Sequence, residues 1–141
     1  MTAASAAETR KAVWQKLLAA SAVTNLVSTR IYDHPLQGVS FPYIQIGDQE
    51  QSEFDTFSTN GMDSTLTIHC WTRPGGTGGP LGRKQADDIM AAVFDALHRQ
   101  SLSVTGQNHV FTHREFINVS LDPDGRTYHG ISRYRIVTME A

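Results

Sequence analysis

Apolar residues recur along this chain with two periods, and the switches between them mark its elements. From about Ala7 to Ala20, Val13, Trp14, Leu17 and Leu18 fall at helical spacing among Lys11, Gln15 and Lys16, which predicts an amphipathic helix with Trp14 anchored in the core. SAVTNLVSTRIYD then reads as a short helical turn and an extended entry at Arg30 to Tyr32, broken by His34 and Pro35. FPYIQIGD, residues 41–48, alternates as a strand, with Pro42 marking an edge or a strand beginning. The polar excursion QEQSEFDTFSTNG follows and ends at the turn signal Asn60-Gly61. Residues 62–72 predict a strong strand, with Met62, Leu66, Ile68 and Cys70 on one face and Thr65, Thr67, His69 and Trp71 on the other.

A glycine-rich stretch separates that strand from a second amphipathic helix carrying Ala86, Ile89, Met90, Val93, Phe94 and Leu97, with a basic last turn at His98 and Arg99. A short strand at 102–104 leads through Gly106 into two long strands, about 109–121 and 126–138. Asp122-Pro123-Asp124-Gly125 is a four-residue turn between them, with Pro and Gly where a β-turn needs them. On that turn Leu121 faces Arg126, His113 faces Tyr134, and Arg114 faces Arg133 with Arg135 beside it on one face. Like charges directly across a ladder are destabilising unless something relieves them. The pattern predicts an α+β domain over residues 1–141: an antiparallel or mixed β-sheet of about five strands packed by two α-helices.

Composition narrows the function more than the fold. At 141 residues, 40% hydrophobic and 18% charged, the chain suits a single ordinary core. A net charge of −2 argues against binding driven by nucleic-acid phosphates. One cysteine excludes an internal disulfide framework and suits a reducing cytoplasm, and the N-terminal residues lack the apolar run of a signal peptide.

The boldest chemical candidate is the glycine stretch PGGTGGPLGRKQ, since phosphate loops also place glycines between a strand and a helix. A nucleotide-binding enzyme built on Gly75 to Gly82 is therefore one reading. A Walker loop, however, needs Gly, four residues, then Gly-Lys-Ser/Thr, whereas Thr77 stands five positions before Gly82 and Arg83, Lys84 and Gln85 follow it. His109 and His113 could share a metal on a helix, but on a strand they stand roughly 13 Å apart. Cys70, on the apolar face of its strand, reads as an inert thiol. Asp87-Asp88 reads as a helix-start pair, and no Gly-x-Ser-x-Gly elbow is present. These residues predict no catalytic site, cofactor or metal.

An interface is the stronger expectation. Arg114, Arg133 and Arg135 form a cationic face that could take a nucleic-acid backbone or acidic groups of a neighbouring subunit. The excursion supplies such groups in Glu50, Glu53 and Asp55, beside the anchors Phe54 and Phe57. Arg83 and Lys84 form a further contact candidate.

The order of an N-terminal helix, Arg30-Ile31-Tyr32-Asp33, Phe41-Pro42-Tyr43-Ile44, Leu66-Thr67-Ile68-His69-Cys70-Trp71, a helix, and Asp122-Pro123-Asp124-Gly125-Arg126-Thr127-Tyr128-His129-Gly130 with Arg133-Tyr134-Arg135 resembles the tail-completion or tail-terminator proteins of long-tailed bacteriophages and gene transfer agents. The resemblance implies a structural virion protein without catalysis, assembled in the host bacterial cytoplasm. It further implies a homo-oligomeric ring, commonly a hexamer, at the head-proximal end of the tail. That ring would end tube polymerisation, contact the tail tube and head-tail connector proteins, and let DNA pass unread through its lumen, with no membrane involved. The glycine stretch is longer than the family pattern.

Overall fold

The computed structural model describes residues 5–35, 37–74 and 82–141. The chain runs α1 (Ser5–Ala19), α2 (Ser21–Val27), β1 (Ile31–Tyr32), β2 (Tyr43–Glu53), β3 (Gly61–Thr72), α3 (Gly82–Leu97), β4 (Gln107–Leu121) and β5 (Tyr128–Glu140). The strands form one mixed sheet in the order β1-β2-β3-β5-β4, parallel between β1 and β2 and antiparallel elsewhere. The expected α+β class is borne out. Its fifth strand is β1, whereas residues 102–104, expected as a strand, form a loop that buries Leu102 and Val104.

The helices form where apolar residues share a stripe. Thr9, Ala12, Val13 and Leu17 carry the buried face of α1, and Val23 and Val27 that of α2. Trp14 is not the core anchor expected. It sits at the border of the stripe, 40% exposed, and its Nε1 donates to the Ile31 carbonyl at 3.0 Å, tying α1 to β1. Helix α3 buries Ala86, Ile89, Met90, Val93 and Leu97. It stops at Leu97, so His98 and Arg99 lie beyond it rather than in a basic last turn. Arg99 takes a positive φ of 59°, and its N–H donates to Thr112 O in β4. Asp87 and Asp88 are also not at the helix start; they pair with Arg83 and Lys84 one turn earlier.

One face of the sheet carries the core. Ile44, Ile46, Leu66, Ile68, Cys70, Tyr134 and Ile136 are buried with the helix stripes. Packing is tight at Gly130, where an added Cβ would lie 2.7 Å from Cys70 Sγ and 3.1 Å from Met90 Cγ. β2 runs to Glu53, five residues past the expected end, so Glu50 and Glu53 lie on a strand instead of in a loop.

The β4–β5 hairpin differs instructively from the expected register. Leu121 faces Tyr128 rather than Arg126, which lengthens the connection to residues 122–127. Asp124 closes this loop by accepting from Thr127 Oγ1 and from the N–H groups of Arg126 and Thr127. Those hydrogen bonds, the Thr127 hydroxyl foremost, hold its carboxyl down at about 2. Two irregularities in β4, between Arg114 and Phe116 and between His109 and Phe111, then take up one residue each. By His109 opposite Thr138 the register is the one expected from the sequence. Between the two bulges it is off by one, and a one-residue slip exchanges the faces.

Candidate assembly surface

That slip separates the expected arginine trio. Arg114 faces Tyr134, not Arg133, and points to the helical side, its guanidinium 4.2 Å above the Phe94 ring of α3. Tyr134 lies fully buried beneath it, and burial pushes its phenol up to about 12. Arg133 and Arg135 occupy the other face, opposite Thr67 and Thr65 of β3.

The two arginines left on that outer face are held differently. Arg135 forms a two-pronged ion pair with Asp63, Nε to Oδ1 at 2.9 Å and Nη2 to Oδ2 at 2.7 Å, which raises its already high pKa. The expected repulsion is therefore relieved within the chain. Glu50, Asp63, Thr65, Glu115 and Arg135 line a polar cleft here. Arg133 instead lies exposed, 4.8 Å from the Phe116 ring, and among the described residues it has no carboxylate partner.

The acidic segment is split between strand and loop. Glu50 pairs in register with Thr65 and Glu53 with Met62. Phe54 is half exposed, Phe57 is fully exposed, and the carboxylate of exposed Asp55 accepts from Gly61 N–H at 3.0 Å. Arg83 and Lys84 spend part of their charge on Asp87 and Asp88, at 3.9 and 2.8 Å. The rest of the glycine stretch, from Gly75 through Leu81, lies outside the described residues.

A second outer-face feature escaped the sequence reading. Tyr32, Tyr43, Trp71 and His129 form a row of rings across β1, β2, β3 and β5, with Trp71 and His129 stacked at 3.7 Å. His69 joins it, its Nδ1 2.7 Å from His129 Nε2, so one imidazole donates to the other. Burial lowers both pKa values, and for His129 the neighbouring His69 charge lowers it further. Gly47 leaves room for this pair, since a Cβ there would meet His69 Nε2 at 2.6 Å. The signal lay in the alternation of His69 and Trp71, but only the β3–β5 register places His129 opposite Trp71.

Among the described residues, no exposed hydroxyl or thiol nucleophile with a positioned base accompanies these surfaces. Cys70 is buried, with its thiol pushed up to about 12 by burial. His109 and His113 lie on a strand as expected, and no metal-holding cluster occurs among the described residues. No helix among them is long and apolar enough to cross a membrane. What the fold offers is a sheet with one packed face, one patterned face and two dissimilar edges.

What the described residues present, then, is an α+β scaffold with patterned surfaces. The chain belongs to the tail completion protein gp17 family, which it matches over residues 11–139. A relative of that name from Bacillus phage SPP1 is 34% identical over 106 residues, covering 75% of this chain and 74% of the relative. The same fold occurs in a chain from the virion of a native gene transfer agent particle, with a TM-score of 0.85 and 21% identity, covering 96% of this chain and 98% of the other. The protein is thus a structural component of the virion tail and not an enzyme.

Proposed function

We infer that copies of this chain form a closed ring, hexameric as the family resemblance implies, on the head-proximal end of the tail tube. The ring ends tube polymerisation and supplies the surface that meets the head-tail connector, while DNA passes through its lumen without being read. Family membership carries this reading. The near-complete fold match to a chain built into a virion supports it. Exposed Phe54, Phe57, Phe116, Ile117 and Leu121 give a folded chain of this size apolar surface to cover by assembly. Arg133, Glu50 and Glu53 supply unlike charges at separate sites, which suits the heterologous contacts of a ring.

Mixing purified protein with polymerising tube protein tests the reading by negative-stain microscopy. Rings at one tube end and tubes that stop growing are expected. A chain that stays monomeric while tubes lengthen unchecked would overturn it.

A further inference from the structure

Among the described residues, the two long edges of the sheet are each paired or capped over part of their length and have no further strand beside them over the rest. At the β2 edge, β1 pairs only with Ile44 and Gln45, and the Arg10 guanidinium then takes the Ile46 and Gly47 carbonyls. Beyond that point, from Asp48 to Glu53, β2 has no strand on its outer side among the described residues. At the β4 edge, Arg99 N–H donates to Thr112 O, and Arg114 N–H donates to His98 Nδ1. Past those caps, residues 115–121 have no strand beyond them among the described residues. There the edge presents Phe116 on the outer face and Ile117 and Leu121 on the helical face, all more than 40% exposed. A long, exposed, apolar strand edge is a template for another strand, and isolated chains normally blunt it with charge, proline or a cover.

We propose that the open segment of β4 in one copy adds to the open segment of β2 in the next, continuing the sheet from subunit to subunit around the ring. This rests on the ring reading and names the contact that closes it. The two segments are of similar length and lie on opposite sides of the sheet, as a head-to-tail contact requires. β2 and β4 run in opposite directions, so copies in the same sense meet through an antiparallel pair; within one chain Asn118 is level with Gln45 and Glu50 with His113, so the strands tilt to the ring axis to bring the two segments together.

Their chemistry is complementary. The β2 segment carries Asp48, Glu50 and Glu53, whereas the β4 segment lies beside Arg133, the outer-face arginine without a carboxylate partner among the described residues, and its own carboxylate, Glu115, lies in the cleft with Arg135. In the antiparallel sense Phe116 and Arg133 come to the Glu50–Glu53 end. Leu121 comes to the end where Trp14, Ile46 and the apolar part of Arg10 line a groove beside α1. A second copy is therefore the occupant that these edges fit.

Two measurements test the contact in the full-length chain. Glu50→Cys and Asn118→Cys, made in separate chains, put one thiol at the middle of each open segment; buried Cys70 remains unreactive. Treated with a short bismaleimide in the presence of tube protein, a mixture of the two should give mixed dimers in large excess over either self-linked dimer. Ile117→Lys should abolish rings while leaving the unfolding midpoint of the monomer unchanged. Rings from the unsubstituted chain with no preference for mixed dimers, or rings undiminished by Ile117→Lys, would overturn the edge contact and leave the ring reading standing. Lack of rings from the unsubstituted chain would overturn both. Should Ile117→Lys fold poorly, the cross-link still decides.

Discussion

Neighbouring residues of β3 live under opposite constraints. Leu66, Ile68 and Cys70 are wholly buried against the helices, while Thr65, Thr67, His69 and Trp71 alternate with them on a face that no helix covers. On the inner face identity is dictated by volume, because protein interiors pack as densely as organic crystals. On the outer face it is dictated by partners: an ion pair at Asp63–Arg135, a histidine pair, and a stacked ring row. The same strand thus builds a fold on one side and a patterned surface on the other.

The sharpest way to break this contrast is Leu66→Ala. It should cost about 2–5 kcal/mol in urea unfolding, the range for deleting a buried leucine; a loss under about 1 kcal/mol would mean that the inner face is not tightly packed. Gly130→Ala should cost about 1–3 kcal/mol through overpacking. Cys70→Ala in the same chain should recover part of that loss, because the nearest clashing atom is Cys70 Sγ. Additive losses would place the strain elsewhere.

Acid tests the outer face. His69 and His129 have folded pKa values below the ordinary histidine range, so the unfolded chain takes up protons first as the pH falls. Their contribution is present above about pH 6.5 and is lost as the pH falls through the lowered folded values. The unfolding midpoint should drop from pH 7 to pH 5, and His129→Asn should reduce the drop without abolishing it, since His98 and His109 are lowered too. An unchanged pH dependence in the variant would separate the histidine pair from stability. The smallest effect belongs to Thr67→Ala, one residue from Leu66, which should stay within about 0.5 kcal/mol.

How legible these regions were follows from how local their causes are. The β3 faces, the two long helices and the buried thiol are written in residue spacing, so pattern reading placed them. The arginine trio was not legible. Its grouping needs the β4–β5 ladder to run without interruption, and the bulge after Arg114 turns that residue to the helical side. The end of β2 was missed because QEQSE lacks apolar alternation; it is held by β3 across the ladder, not by burial. The ring row and the histidine pair join residues about sixty positions apart and carry no local signal.

By itself, then, the sequence determined the α+β class, the order of the long elements, the inert cysteine, the mismatch of the glycine stretch to a Walker motif and the family likeness. Each follows from side-chain period, composition or motif spacing, which are properties of neighbours along the chain. Only the tertiary structure decided which arginines share a face, which carboxylate relieves Arg135, and where, among the described residues, the sheet edges have no neighbouring strand. Those depend on register, bulges and caps, where one residue of offset exchanges a buried face for an exposed one.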